Sequence, residues 1–590
     1  MLRAPFVLLI NLFRLLKFLW ARFWHGLGHF LTRKHRKFVV LKIPRDFVFG
    51  PPQGWAAHFQ DEPTFLEFRR DIKRLARDPN IEGVVITAQI PTMGLARLGD
   101  VTDMVGALKA DGKHIVAHAQ MATLREYSLL SVADELAMTP AGRLYMFGPR
   151  MDQFFAAETL ERVGVTAQVV HIGPFKTAYH RFIHTSMPSA QELMMRQLFG
   201  RLKGVVEERI GSTRSLSEPL DDLLGKMPID SREAMRMGLI DGECFRQDIA
   251  RYIANKDEAT TAPVEEKTPV RTYVMDRYMK SSPPPFEWAP LFRAPKRFAV
   301  MDLSGMIIMP DMKLPGQAGA AINPDEVVPK LRAIAADRRI AGLLLHINSP
   351  GGSALASDII WHAIQEVRQK KPVVAFMSDV AASGGYYLAV AADQIVCRPE
   401  TITGSIGVIA GKMSAGGALE KLGIKIESIY EEDSALFTSL VHPLPASVMD
   451  NLQADARSFY RLFLQRVGQA RQLSRRRLHR YARGRVYLGE DALRRGLVDQ
   501  LGTFDEAVEL LATLCEADPL RTKLQFVAHR KQSLKAVLRQ NVSAELMGWT
   551  GAVEPALVAA AMLRREPVLA LMPYKPALFG EQGGELAGAL

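Results

Sequence analysis

The sequence predicts an α/β protein: two tandem copies of one domain, each a parallel sheet covered by helices, preceded by an amphipathic helix. Three observations predict it. First, segments of the first half recur in the second at an offset that stays between 258 and 260 positions. "RKFVVLKI" (36–43) matches "KRFAVMDL" (296–303), "DPNIEGVVI" (78–86) matches "DRRIAGLLL" (337–345), and "GKHIVAHA" (112–119) matches "KKPVVAFM" (370–377). "VADELAMTP" (132–140) matches "AADQIVCRP" (391–399), and "REAMRMGLIDG" (232–242) matches "EDALRRGLVDQ" (490–500). A register held over so long a stretch is the mark of duplication. Second, continuous Val/Ile/Leu runs alternate with amphipathic helical patterns, as expected of strands buried on both faces of a parallel sheet. Third, "NKDEATTAPVEEKTPV" and "SSPPPFEWAP" form a polar, proline-rich connector between the copies.

Taken in chain order, residues 1–35 read as a membrane-associating helix. "FVLLINLFRLLKFLWARFWHGLGHFL" is rich in Leu, Phe and Trp, and its polar positions Asn11, Arg14, Lys17, Arg22, His25, His29 and Arg33 fall on one side at helical spacing. That pattern describes a basic amphipathic helix in a membrane interface. The longest uncharged run, Ala4 to Phe13, is too short to span a bilayer, which takes about 20 residues. No small-residue cleavage site follows, so the segment is expected to stay attached. "TRKHRK" (32–37) adds charge that favours anionic headgroups. The competing reading is a helix packed on the protein's own core.

Residues 36–250 form the first copy, 251–295 the linker, 296–515 the second copy, and 516–590 an extension without an assigned role. In that extension "GAVEPALVAAAMLRREPVLALMP" is apolar but broken by Arg564, Arg565, Glu566 and Pro567, so it makes a poor spanning helix. The helices near 190–210 and 446–470 come late in each copy, where they can pack against a partner repeat or subunit. A chain of 590 residues exceeds one ordinary core, as the duplication requires. Apolar residues make up 48% and charged residues 23%, which excludes a largely disordered protein. The net charge of +12 admits anionic partners. The absence of zinc spacing, a nucleic-acid-binding helix signature or a phosphate loop argues against nucleic acid. Cys244, Cys397 and Cys515 stand far apart and give no disulfide framework.

The copies differ where chemistry is carried. At offset 259, Ser383 in "VAASGGYYLAVAAD" faces Leu124, and Gly351-Gly352 in "HINSPGGSA" face Thr92-Met93. Lys176 in "HIGPFKTAYHRF" faces Ala435. Each copy lacks what the other offers, so Lys176 is the candidate base for Ser383. A serine hydroxyl needs a base within about 2.6–3.2 Å. A lysine serves only when uncharged, so its ordinary value near 10.4 must fall by roughly three units, about 4 kcal/mol. Burial does this, and Ile172, Pro174, Phe175 and Ala178 surround Lys176 locally. The oxyanion that follows attack needs N–H donors. Gly384, at a helix start, and Gly352, without a side chain to obstruct, are the candidates. Taken singly, these features have ordinary readings: an N-cap, a turn, a solvated charge. Their joint placement in a duplicated domain, each half lacking the other's part, favours the functional one. His346 lies in a buried-type strand and reads as a core histidine. "SRRRLHRYARGR" (474–485) reads as a solvated helix and turn, with anionic lipid or an acidic partner as the alternative.

"INSPGGSALAS", "DVAASGGYYLAVAAD", "TGSIGV" and "GRVYLGEDALRRGLVDQLG" together resemble the signal peptide peptidase A (SppA) family in its long, duplicated form, over about 36–515. The first copy matches more loosely, through "GPFKTA". The resemblance implies a crotonase/ClpP-like fold and a Ser/Lys endopeptidase that cuts hydrophobic peptides such as cleaved signal peptides. It implies Ser383 as nucleophile, Lys176 as base, Ser405 in "TGSIG" as the residue orienting the lysine, Gly352 and Gly384 as oxyanion donors, and no metal or cofactor. It also implies a homo-oligomer, tetrameric in the long form, at the bacterial inner membrane, with the periplasmic side favoured. Here the N-terminal segment departs from the family's clearer membrane span. Two other readings remain at this point: acyl-CoA hydratase or isomerase chemistry, which needs no Ser383, and a non-catalytic membrane scaffold.

Overall fold

The computed structural model describes residues 3–31, 35–51, 63–88, 91–256, 269–282, 296–310, 321–518, 522–527 and 568–571. Of the apolar run in 551–573, only 568–571 lie within them.

In the first half, β1 (Arg36–Ile43), β2 (Gly83–Ala88), β3 (His114–Thr123) and β4 (Glu135–Tyr145) run parallel, side by side. β5 (Thr166–His171) leaves this sheet. β6 (Ile229–Asp230) pairs antiparallel and β7 (Gly242–Glu243) parallel with β4, while β8 (Val270–Val274) extends the sheet beyond β1. The second half has β9 (Arg297–Ser304), β10 (Met306–Ile307), β11 (Ala321–Ile322), β12 (Ile340–Ser349), β13 (Gly351–Ser353), β14 (Val373–Ala382) and β15 (Gln394–Cys397). After these come β16 (Ile402–Gly404), β17 (Ile409–Ser414), β18 (Val486–Leu488), β19 (Gln500–Leu501), β20 (Lys523–Val527) and β21 (Val568–Leu571).

The two main sheets share one plan. The first runs β6-β4-β3-β2-β1-β8 and the second β18-β16-β14-β12-β9-β20, with a single antiparallel pairing at the β6 or β18 end. The paired segments found by offset fall on equivalent strands: β1 on β9, β2 on β12, β3 on β14. The chain is thus α/β, with two tandem repeats. The repeat reaches further than the connector reading allowed. Val270–Val274, inside the proline-rich stretch, is the sixth strand of the first sheet, and Lys523–Val527 takes the same place in the second. Both are short edge strands next to polar segments, so composition over a wider window hides them.

Each central strand of the second sheet is buried on both faces, and alternation divides its residues between two cores. Val300, Leu344, Val374 and Phe376 join the core that includes Val84, Ile86 and Leu129 of the first half. Met301, Leu343, Leu345, Ala375 and Met377 join the second core, with Ile360 and Phe463 of its covering helices. The first half therefore covers one face of the second sheet.

Polar contacts cross the same interface. Arg398 Nη2 lies 2.6 Å from Asp103 Oδ2, and its Nε lies 3.7 Å from Asp100 Oδ1 and 3.6 Å from Glu400 Oε2. Arg209, on the helix Ser189–Thr213, also pairs with Glu400. Burial pushes the Asp100 carboxyl well above the ordinary carboxylate range. The backbone N–H of Arg97 donates to Asp379 Oδ1 at 2.9 Å, tying the helix Leu95–Gly106 to the strand that ends just before Ser383.

A third sheet, β11-β10-β13-β21-β17-β5, mixes the halves. In it β5 runs antiparallel to β17, with His171 opposite Ile409 and Thr166 opposite Ser414. At the N-terminus the helix Arg3–Leu31 exposes Leu8, Leu9, Leu12, Phe13, Leu16, Leu19, Trp20, Phe23 and Trp24. Among the described residues no helix is long and apolar enough to cross a membrane.

Candidate active site

β5 delivers Lys176. Its pairing with β17 continues past the strand end, where Ile172 N–H donates to Val408 O at 2.9 Å. Four residues later Lys176 is fully buried, and its Nζ lies 2.7 Å from Ser383 Oγ. Nζ has two further oxygen neighbours, Ser405 O at 2.9 Å and Ser405 Oγ at 2.9 Å. An uncharged amine has two hydrogens and one lone pair. It can donate to both Ser405 oxygens and accept the Ser383 hydroxyl proton. Burial alone drives the Lys176 amine well below the ordinary lysine value, with no carboxylate among the described residues acting to restore it.

Ser383 directly follows β14 and is the N-cap of the helix Gly384–Ala389. It stands at φ 56°, ψ −116°, a strained conformation for a residue with a side chain. The chain holds it there through its backbone: Ser383 N–H donates to Gly404 O at 2.8 Å, and Ser383 O accepts from Tyr387 N–H at 2.9 Å. Ser405 has φ 52°, and its N–H donates to Arg485 O at 2.7 Å. Two strained serines are thus set side by side, both facing one amine.

The glycines are brought to the same place. As the first helical residue, Gly384 has an N–H with no intrahelical acceptor. A Cβ on Gly384 would lie 3.2 Å from Gly351 Cα, so the two glycine segments touch. Gly352 has φ 154°, and a Cβ there would come within 1.9 Å of Ile307 O, which leaves room for no other residue. Gly351 N–H donates to Ser349 Oγ at 3.2 Å.

His346 is the core residue its strand implied: buried, with Nδ1 2.7 Å from Asp302 Oδ1 and its ring stacked 3.6 Å from that of Phe49. Burial lowers its pKa.

The reading of 474–485 as a solvated run missed a support of the site. Arg475, Arg476 and Arg477 are exposed, but the segment ends under the lysine loop. Phe175 N–H donates to Arg483 O at 3.2 Å, and Gly484 N–H to Ile406 O at 2.8 Å. Gly484 has φ +81°, and a Cβ there would lie 2.4 Å from Lys176 N. The glycine between two arginines was the available signal, masked by the charge around it. Gly484→Ala should therefore push the lysine loop off its seat and lower kcat about 100-fold, the scale of a 1 Å misplacement, with a loss of stability from the positive φ beside it. Steady-state kinetics beside thermal denaturation check this; an unchanged kcat would remove Gly484 from the site.

The model for peptidase family S49 matches residues 107–260 and 365–518, more than half of the chain and again 258 positions apart (107 to 365). Similar curated proteins include the chloroplastic serine protease SPPA of Arabidopsis thaliana, 27% identical over 479 residues, covering 80% of this chain and 68% of the relative. Protease 4 of Haemophilus influenzae is 27% identical over 486 residues, covering 80% of this chain and 75% of the relative. Among solved structures, a membrane-bound stomatin-specific protease in complex with a substrate peptide aligns over 43% of this chain and 100% of its own, at 16% identity and a TM-score of 0.26.

Proposed function

The chain belongs to peptidase family S49 and is a serine peptidase, and on that premise we propose a membrane-associated endopeptidase with Ser383 as nucleophile and Lys176 as general base. The observation that carries this reading is the 2.7 Å approach of Lys176 Nζ to Ser383 Oγ, with both side chains fully buried. The uncharged amine takes the hydroxyl proton, and Oγ attacks the scissile carbonyl to form a tetrahedral intermediate. The amides of Gly352 and Gly384 hold its oxyanion. The Lys176 ammonium then protonates the departing amine, leaving an acyl-enzyme. Lys176 next activates a water, and hydrolysis frees Ser383. Ser405, accepting from the amine through both of its oxygens, keeps the remaining lone pair aimed at Ser383.

The substrates of this proposal are hydrophobic peptides such as cleaved signal peptides. The exposed apolar side chains of the helix Arg3–Leu31, with Arg14, Lys17 and Arg22 among them, support attachment to an anionic bilayer surface. The proposal places the enzyme at the bacterial inner membrane, as a homo-oligomer, with its two repeats extended to include Val270–Val274 and Lys523–Val527. Sedimentation with vesicles containing anionic lipid should carry the intact chain down and leave a chain lacking residues 1–31 in solution; equal partition removes the helix as anchor.

A fluorophosphonate that reacts with activated serines tests the dyad directly. Ser383 should label, with the adduct found on its tryptic peptide, and Lys176→Ala should reduce labelling at least tenfold. Labelling that ignores Lys176 would sink the assignment of the base.

A further inference from the structure

The loop that carries Lys176 begins and ends at a histidine. His171 closes β5, and His180 opens the short helix His180–Ile183. Their ring centroids lie 5.1 Å apart, and the ring of His184 lies 4.8 Å from that of His180. Two imidazoles on one tetrahedral ion, each bound at about 2.0–2.1 Å, have centroids about 5 Å apart. Hydrogen bonds leave the same nitrogen free on two of these rings. His171 Nδ1 lies 3.0 Å from Gly173 O. A carbonyl only accepts, so Nδ1 carries the proton and Nε2 the lone pair. His180 Nδ1 lies 3.0 Å from Gln191 Oε1. Gln191 donates through its Nε2 to Gln153 Oε1 at 2.6 Å, which fixes its oxygen toward His180. His180 Nε2 is therefore a lone pair as well. It is buried without a hydrogen-bond partner among the described residues, on a residue only 3% exposed. A buried acceptor in that state calls for a ligand. Burial, and after it repulsion from His171, brings the His180 pKa down to about 4, so the ring is uncharged at neutral pH, the form that binds metal.

We propose that His171 and His180 hold a divalent transition-metal ion of the zinc class through their Nε2 atoms. Imidazole suits such ions, whereas Mg²⁺ and Ca²⁺ take oxygen ligands. Among the described residues no group of three or more His, Cys, Asp or Glu is placed to hold a metal, so the site is a pair and solvent completes the shell. His171 is half-buried, which gives the ion a way in. The other nitrogen of each ring donates to an oxygen, the arrangement that fixes tautomer and direction in metal-bound histidines. The ion takes no part in acyl transfer. It joins the two ends of the loop 172–179 and so closes the segment that presents Lys176 at its base. Gly173 O, which accepts from His171, also accepts from Lys176 N–H at 3.3 Å. The assignment is independent of the peptidase reading, because binding an ion needs no catalysis.

Calorimetric titration of the intact chain with Zn²⁺ tests this, beside thermal denaturation. Gln191→Leu should weaken binding about 10- to 100-fold, the scale for a lost orienting partner, and His171→Gln and His180→Gln at least as much. Zn²⁺ at about a hundredfold excess over its Kd should raise the wild-type thermal midpoint by about 5 °C, and that of either histidine variant by about 1 °C or less. Ca²⁺ should do neither. Circular dichroism without metal checks the fold of each variant, and His171→Gln, at a half-buried position, decides the matter by itself where the buried His180→Gln unfolds. Wild-type affinity in folded His171→Gln, an equal midpoint rise in it, or no Zn²⁺ binding to the wild type overturns the proposal. So does binding lost in His184→Gln and kept in His171→Gln. None of these outcomes bears on the dyad, which fluorophosphonate labelling judges separately.

Discussion

Ser383→Ala should abolish hydrolysis of an apolar peptide, with kcat falling by about 10⁴- to 10⁶-fold, the range seen when an activated nucleophile is removed. Without Oγ no acyl-enzyme forms, and the remaining donors can only polarise a carbonyl that nothing attacks. The loss should not come from unfolding. The bonds that hold residue 383 in place, to Gly404 O and from Tyr387 N–H, are backbone bonds and survive the substitution. Lys176 keeps both Ser405 oxygens. Rates should therefore be read beside circular dichroism and the thermal midpoint. A folded variant that retains more than a few per cent of wild-type kcat removes Ser383 as nucleophile and returns the acyl-CoA reading to consideration.

Lys176→Met should cost about 10²- to 10⁴-fold in kcat, the range for a positioned general base, and should raise the denaturation midpoint instead of lowering it. The two effects share one cause. Burial disfavours the ammonium, which makes the amine available as a base and makes its site unfavourable for a charge. Methionine occupies a similar length with nothing to desolvate. Lys176→Arg should not rescue activity, because a guanidinium stays protonated and the site is fully enclosed. The wild-type pH profile follows. kcat/KM should rise with pH as the amine loses its proton, with an apparent pKa well below the lysine value of 10.5. For stability, the unfolded chain binds the extra proton between the lowered folded value and 10.5, so this site's contribution to unfolding free energy rises with pH across that window and is flat below it. A profile flat from about pH 5 to 9 would count against a lysine base.

The two halves of the site were legible for different reasons. Ser383 and Lys176, the proposed dyad, stood out because duplication supplies an internal control: the other copy carries Leu124 and Ala435 at the corresponding positions. Gly384 and Gly352 followed from the need for unobstructed amides. Gly484 did not, since its role appears only when a separate loop, 172–176, is laid against it. The Arg97–Asp379 bond and the Arg398–Glu400–Arg209 cluster were equally silent, because each joins residues from opposite halves. Strands β20 and β21 carry too few residues for periodicity to mark them.

The amino-acid sequence by itself determined the α/β class, the duplicated plan and the unequal share of chemistry between the copies. These are local or repeated features, written in the period of apolar residues and in a constant offset. Only the tertiary structure decided that β5 crosses to the second half, that a buried amine reaches a strained serine 207 positions away, and that Val568–Leu571 pairs with both β13 and β17. Strand pairing across such separations depends on backbone hydrogen bonds, which every residue except proline offers alike, so no side-chain pattern announces the partner.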